Sequence, residues 1–254
     1  MVDIRAWGLR FPPTRRLYEE DAYLREADAT LLGYASEKGR RYYLVLSQTI
    51  FHPRAGGQGS DTGTVEWEGG LLKVEKALLV GGVVVHYGRL LSGGVPGEGA
   101  RVRMAIDWEA RYRTMRLHTA GHILDYAVSR VYGAPVETLD AYHSPPEAYV
   151  VYAAGPPSAT EVEAIERVAN EVVAADLPVR VTYVRREELG RALLNAPNLS
   201  RLPDAEVYRV VAIEGVNAMP CTGTHVRRTG EVGEIMIRGV ESVGGGFRLV
   251  YDVG

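Results

Sequence analysis

His118 and His122 stand four residues apart, and Cys221 and His225 repeat that spacing far downstream. A fold that satisfies both pairs must bring a helix and a distant turn to one point. The first pair lies in Leu117-His118-Thr119-Ala120-Gly121-His122-Ile123-Leu124, where Leu117, Ala120, Leu124, Ala127, Val128 and Val131 recur at helical spacing. Residues at i and i+4 share a helix face, so both imidazoles can point at one ion. The second pair lies in Pro220-Cys221-Thr222-Gly223-Thr224-His225, whose small residues and glycine read as a turn. Three imidazoles and a thiolate suit tetrahedral zinc. The chain has one cysteine and six histidines, and four of these seven residues fall in the two pairs. The first pair lacks the glutamate of His-Glu-x-x-His, so the metalloprotease signature and its built-in base are absent.

The 254 residues can bury a large core in one or two domains. The charged amino terminus shows no signal peptide, and the longest apolar run, Ala77 to Val85, is too short to span a bilayer. That short run points to no membrane partner, and a single cysteine permits no internal disulfide, which suits a reducing cytoplasm. The net charge of −3 does not announce a nucleic-acid binder. Locally, however, Arg101, Arg103, Arg111, Arg113 and Arg116 crowd the approach to the histidine helix, while Arg227 and Arg228 follow His225. If both pairs bind one ion, these groups meet around it, either as a funnel for phosphates or as an ordinary solvated surface.

The fold class expected is α+β: a small amino-terminal β-barrel over residues 1–106, then an α/β sandwich over 107–254 that carries the metal ligands. Short strands with glycine-rich turns are expected at Ala27–Tyr34, Tyr42–Ser47, Gly63–Trp67, Leu71–Val74, Leu78–Tyr87 and Ala100–Ile106. Downstream, Ser158-Ala159-Thr160-Glu161 is a capping-box signature before the stripe Val162, Ile165, Ala169, Val172. Strands are expected at Val179–Val184, Val207–Ile213, Gly233–Ile237 and Phe247–Val253.

A glycine-rich segment runs from Phe51 to Gly63, with Gln58, Ser60, Asp61 and Thr62 as its hydrogen-bonding groups. Its glycines allow close backbone approach. No Gly-Lys-Ser/Thr ends it, so it is not a Walker phosphate loop. A tight turn between strands is the alternative reading.

Taken in order, these residues resemble the AlaX family, the freestanding alanyl-tRNA editing proteins, and the editing domain of alanyl-tRNA synthetase. Leu17-Tyr18-Glu19-Glu20-Asp21 and Phe51 to Gly63 match the barrel and glycine-rich motif. Asp107 to Tyr112 leads into His118-Thr119-Ala120-Gly121-His122, and Cys221-Thr222-Gly223-Thr224-His225-Val226 precedes Thr229-Gly230-Glu231-Val232-Gly233. The resemblance implies one zinc ion held by His118, His122, Cys221 and His225. It implies as substrate tRNA for alanine mischarged with serine, with glycine as the second candidate. Thr222 and Ala55 stand where the family has glycine, which narrows the expected pocket. With barrel and core alone, the chain looks like the intermediate type.

Hydrolysing an aminoacyl ester needs an activated water and a stabilised oxyanion, yet four protein donors would close a tetrahedral shell. The residues leave open whether zinc is catalytic, positions the substrate or is structural, and they name no general base; Asp125 is the carboxylate nearest the ligands in sequence. Telling serine from alanine calls for a polar group that reads one hydroxyl. Thr49 is the first candidate, then Gln58 and Thr222; Arg111, Arg116, Arg227 and Arg228 are the candidates for the tRNA backbone. A trans-acting zinc-dependent deacylase leads. The alternatives are a non-catalytic tRNA-binding module with structural zinc and a zinc hydrolase of small esters or amides.

Overall fold

The computed structural model describes residues 3–197 and 199–254, in a mixed α+β architecture. The chain divides into two compact units, one made of the residues up to Ala55 with Gly59–Tyr112, the other of Gly56–Gln58 with Arg113–Gly254.

The first unit is a closed six-stranded barrel. Its strands are β1 (Glu26–Glu37), β2 (Arg41–Leu46), β3 (Gly63–Trp67), β4 (Gly70–Val80), β5 (Val83–Ser92) and β6 (Arg101–Ile106), in the order β1-β2-β5-β4-β3-β6. Strand β6 shows why it closes: Val102, Met104 and Ile106 point into the core, while Arg101 and Arg103 pair outside with Asp28 and Glu26 of β1. This alternation is the period of two that a half-buried strand requires. The interior is filled by Leu31, Leu44, Leu46, Val65, Leu72, Val74 and Val84.

One strand expectation is corrected here. Leu71–Val74 and Leu78–Tyr87 are not two separate strands, because β4 runs unbroken through Lys76 and Ala77, and the chain reverses at Gly81-Gly82. Both glycines have positive φ, 54° and 86°, which a two-residue hairpin turn of the primed type needs. The apolar run across this turn hid it.

In the second unit, helix α1 (Trp108–Tyr132, begun in the first) carries the first histidine pair. A four-stranded sheet is built from β7 (Thr138–Tyr142), β8 (Ala148–Tyr152), β12 (Ile235–Val243) and β13 (Gly246–Val253), in the order β12-β13-β8-β7. Tyr251 of β13 donates to the Leu117 carbonyl and Tyr152 of β8 donates to Asp125, tying the helix to this sheet. Helix α2 (Ala159–Ala174) starts at the expected capping box and buries Ile165, Ala169 and Val172. Strands β9 (Val179–Arg185), β10 (Val207–Ile213) and β11 (Asn217–Pro220) form a three-stranded antiparallel sheet. Among the described residues, no helix is long and apolar enough to cross a membrane.

Candidate metal centre

Helix α1 holds His118 and His122 one turn apart on its buried face, and the loop after β11 returns Cys221 and His225 to the same point. One donor atom from each of the four residues lies within 4.8 Å of all the others. The ring centroids of His118 and His122 lie 4.4 and 4.6 Å from that of His225. The Cys221 sulfur is 3.4 Å from Nε2 of His118 and 3.3 Å from Nε2 of His225. A tetrahedral ion with usual zinc bond lengths would separate neighbouring nitrogen and sulfur donors by roughly 3.6 Å. The arrangement therefore has the size of a coordination shell.

Hydrogen bonds behind each ring decide which nitrogen faces inward. Gln58 Oε1 accepts from the Thr224 N–H at 2.9 Å, so it can only accept from His118 Nδ1, also at 2.9 Å. Asn217 spends its amide donors on the Asn195 carbonyl and Met219 sulfur, which leaves its Oδ1 to accept from His122 Nδ1 at 3.0 Å. Thr119 gives its one hydroxyl proton to the Met115 carbonyl, so it accepts from His225 Nδ1 at 3.1 Å. All three rings are thus protonated on Nδ1 and present the Nε2 lone pair to the centre. Such outer partners fix tautomer and orientation in metal-binding histidines.

His122 Nε2 is a buried acceptor with no hydrogen-bond partner among the described residues. An unpaired buried polar atom is costly, and a cation would satisfy it. Burial pushes the His122 pKa down to about 4, outweighing its bond to Asn217, so the ring is neutral, as a ligand must be. Burial also raises the Cys221 thiol, while the Arg209 charge and the Gly223 N–H pull it back down. The donor chemistry fits a divalent metal. Gly223 is required, because a Cβ there would fall on the His118 ring.

The cluster opens onto a cavity of about 460 Å³ within the second unit, lined among others by His118, Asp125, His143, Arg209, Cys221 and Thr222. That volume suits a small-molecule group. His143 stacks on His118 with centroids 4.5 Å apart. Tyr251 spends its proton on Leu117, so its hydroxyl accepts from His143 Nδ1 at 2.6 Å and makes Nε2 the basic atom of that ring. Asp125 Oδ1 accepts from Tyr152 at 3.0 Å and Thr138 at 3.5 Å.

The other expected site residues lie in different surroundings. Thr49 is fully buried in the first unit; its hydroxyl bonds His86 Nε2 at 2.7 Å and accepts from the Phe51 N–H. Its proton and one of its lone pairs are thus engaged inside the barrel. Gln58 is buried with both amide ends committed to His118 and Thr224, so it orients the His118 ring. Thr222 is exposed and lines the cavity.

Arg111 is buried in the first unit against Asp61 and the carbonyls of Ala22 and Ile50, so no phosphate can reach it. Arg116 binds the carbonyls of Val232 and Gly254. Arg228 is exposed but pairs with Asp176, and Arg227 is exposed beside it. Sequence reasoning passed over Asn217, Thr119, His143 and Arg209. Only Arg209 left a trace, as a charge in the otherwise apolar Val207–Ile213.

Comparison with known proteins agrees with this geometry. A family model described as tRNA synthetases class II (A) matches residues 26–110. One described as threonyl and alanyl tRNA synthetase second additional domain matches residues 208–251, which include Asn217, Cys221 and His225. The alanine–tRNA ligases of Pyrobaculum calidifontis and Korarchaeum cryptofilum are each 38% identical, over 249 and 248 residues, covering 96% of this chain and 27% of each ligase. That of Thermofilum pendens is 40% identical over 248 residues, covering 96% of this chain and 26% of the ligase. The chain spans about a quarter of the length of these relatives. Along nearly its whole length, then, it is a relative of the alanine–tRNA ligases and corresponds to one segment of them.

Proposed function

We propose that this chain is a zinc-dependent aminoacyl-tRNA deacylase of the AlaX type, acting on tRNA for alanine that carries serine or glycine. The observation that carries the reading is the His118, His122, Cys221 and His225 cluster opening onto a cavity, in a chain similar to alanine–tRNA ligases. His118, His122 and His225 would hold zinc through Nε2 and Cys221 through its thiolate. Bound zinc supplies positive charge that polarises a carbonyl or lowers the pKa of water to about 7.

The chain's own residues do the rest. Gln58, Asn217 and Thr119 hold the three rings in one tautomer. Thr222, at the cavity wall, lies where the amino-acid side chain would be read. His143 lines the cavity with its Nδ1 committed to Tyr251, and is our candidate for the general-base role that the sequence left unassigned. The exposed Arg227 and Arg228 are the remaining candidates for phosphate contacts.

A second reading draws on the same shell: four protein donors are the usual set of a structural zinc site, which favours a non-catalytic tRNA-binding module. One assay separates them. Seryl-, glycyl- and alanyl-tRNA for alanine are incubated with the protein before and after chelation. Rapid loss of serine with sparing of alanine, abolished by chelation and restored by zinc, is expected. Binding without hydrolysis would leave the binding module standing, and hydrolysis of simple esters alone would favour a small-ester hydrolase.

A further inference from the structure

Arg209 sits on β10 on the same face as Val211 and Ile213, a buried and otherwise apolar face. It is 9% exposed and lines the cavity beside the metal cluster. Its Nη1 donates to the carbonyls of Cys221 at 2.7 Å and Gly223 at 3.0 Å. Its Nε is buried with no hydrogen-bond partner among the described residues. The cavity's Asp125 directs Oδ1 to Tyr152 and Thr138. Asp140 accepts from Tyr149.

A buried charge normally has a counter-charge. Here the cation is next to a centre whose donor set, one thiolate and three neutral imidazoles, would leave a divalent ion with net positive charge. Two carbonyl contacts hold the guanidinium in place but do not neutralise it. The missing partner is an anion that enters with the ligand. In an aminoacyl ester of a terminal nucleoside, the anion closest to the ester is the phosphodiester on the 5′ side of that nucleoside. An arginine fork matches phosphate geometry.

We propose that Arg209 is the receptor for the phosphodiester of the terminal nucleotide, anchoring the acceptor end while the ester lies at the metal cluster. This rests on the deacylase reading for the identity of the ligand, though not for the existence of the anion site.

The test measures affinity for the trinucleotide CpCpA and for the same trinucleotide with a neutral methylphosphonate at the last linkage, using the zinc-loaded chain and its Arg209→Gln variant. Removing the charge should weaken binding to the unmodified protein about tenfold or more, the scale of a charge-assisted hydrogen bond. In Arg209→Gln the two ligands should bind alike, with metal content unchanged. If the variant loses metal because the Cys221 loop slackens, Arg209→Lys keeps the charge and should keep the preference for phosphate. Equal affinity of the unmodified protein for both ligands overturns the proposal, as does an undiminished preference in metal-replete Arg209→Gln. Hydrolysis of seryl-tRNA together with equal affinities would sink this inference and leave the deacylase reading intact. A phosphate preference without any hydrolysis would do the reverse.

Discussion

Asn217 Oδ1 lies 3.0 Å from His122 Nδ1, and both side chains are fully buried. This bond turns the unpartnered Nε2 of His122 toward the Cys221 and His225 donors. Replacing Asn217 by Leu should therefore leave the fold recognisable while metal affinity drops about 10- to 100-fold, the usual cost of losing such a support. Competition against a chromophoric chelator measures it. An affinity unchanged in the variant would mean that the ring is held by packing alone.

Thr49→Val keeps the shape and removes one hydroxyl. His86 Nε2 then loses its donor and the Phe51 N–H loses its acceptor. A buried group left unsatisfied costs about 1–3 kcal/mol, so a denaturant melt should shift by that order. Seryl- and alanyl-tRNA hydrolysis should slow equally, if at all. A selective loss of serine hydrolysis would restore Thr49 as a substrate-reading residue.

His86 also sets an acid limit. Burial lowers its pKa to about 4, against about 6.5 for an unperturbed histidine. Between these values the unfolded chain takes up a proton that the folded chain refuses. Unfolding free energy is therefore undiminished by this group above about pH 6.5 and falls as pH drops toward 4, by on the order of 3 kcal/mol. Equilibrium melts across that window should show the fall, and His86→Phe should flatten it.

Two arginines that look alike in sequence should behave in opposite ways. Arg111→Leu strands the Asp61 carboxylate, buried beside it, and should cost about 3–5 kcal/mol of stability. Arg227→Ala should leave stability alone and reduce the log–log salt slope for tRNA by roughly 0.7 to 0.9. A salt slope unaltered by Arg227→Ala removes that residue from the tRNA-facing surface.

Local periodicity made much of this protein readable before folding. The alternation in Arg101–Ile106, the capping box at Ser158 and the i, i+4 histidines each depend on residues within a turn or two of one another. Even so, the Gly81-Gly82 reversal lay concealed in an apolar run, since β-branched residues on both sides read as one strand.

What the sequence by itself determined is the inventory: a barrel, an α+β core, and three imidazoles with one thiolate placed at spacings that suit one ion. What only the tertiary structure decided is the duty of each polar group. Gln58 serves His118 and Thr49 serves His86, while Arg111 is consumed by Asp61 and Arg209 lines the cavity with an Nε that has no hydrogen-bond partner among the described residues. The physical reason is that a hydrogen bond or ion pair depends on which group lies within about 3 Å. Partners such as His122 and Asn217 are 95 residues apart in the chain, a separation over which neither periodicity nor spacing carries any signal.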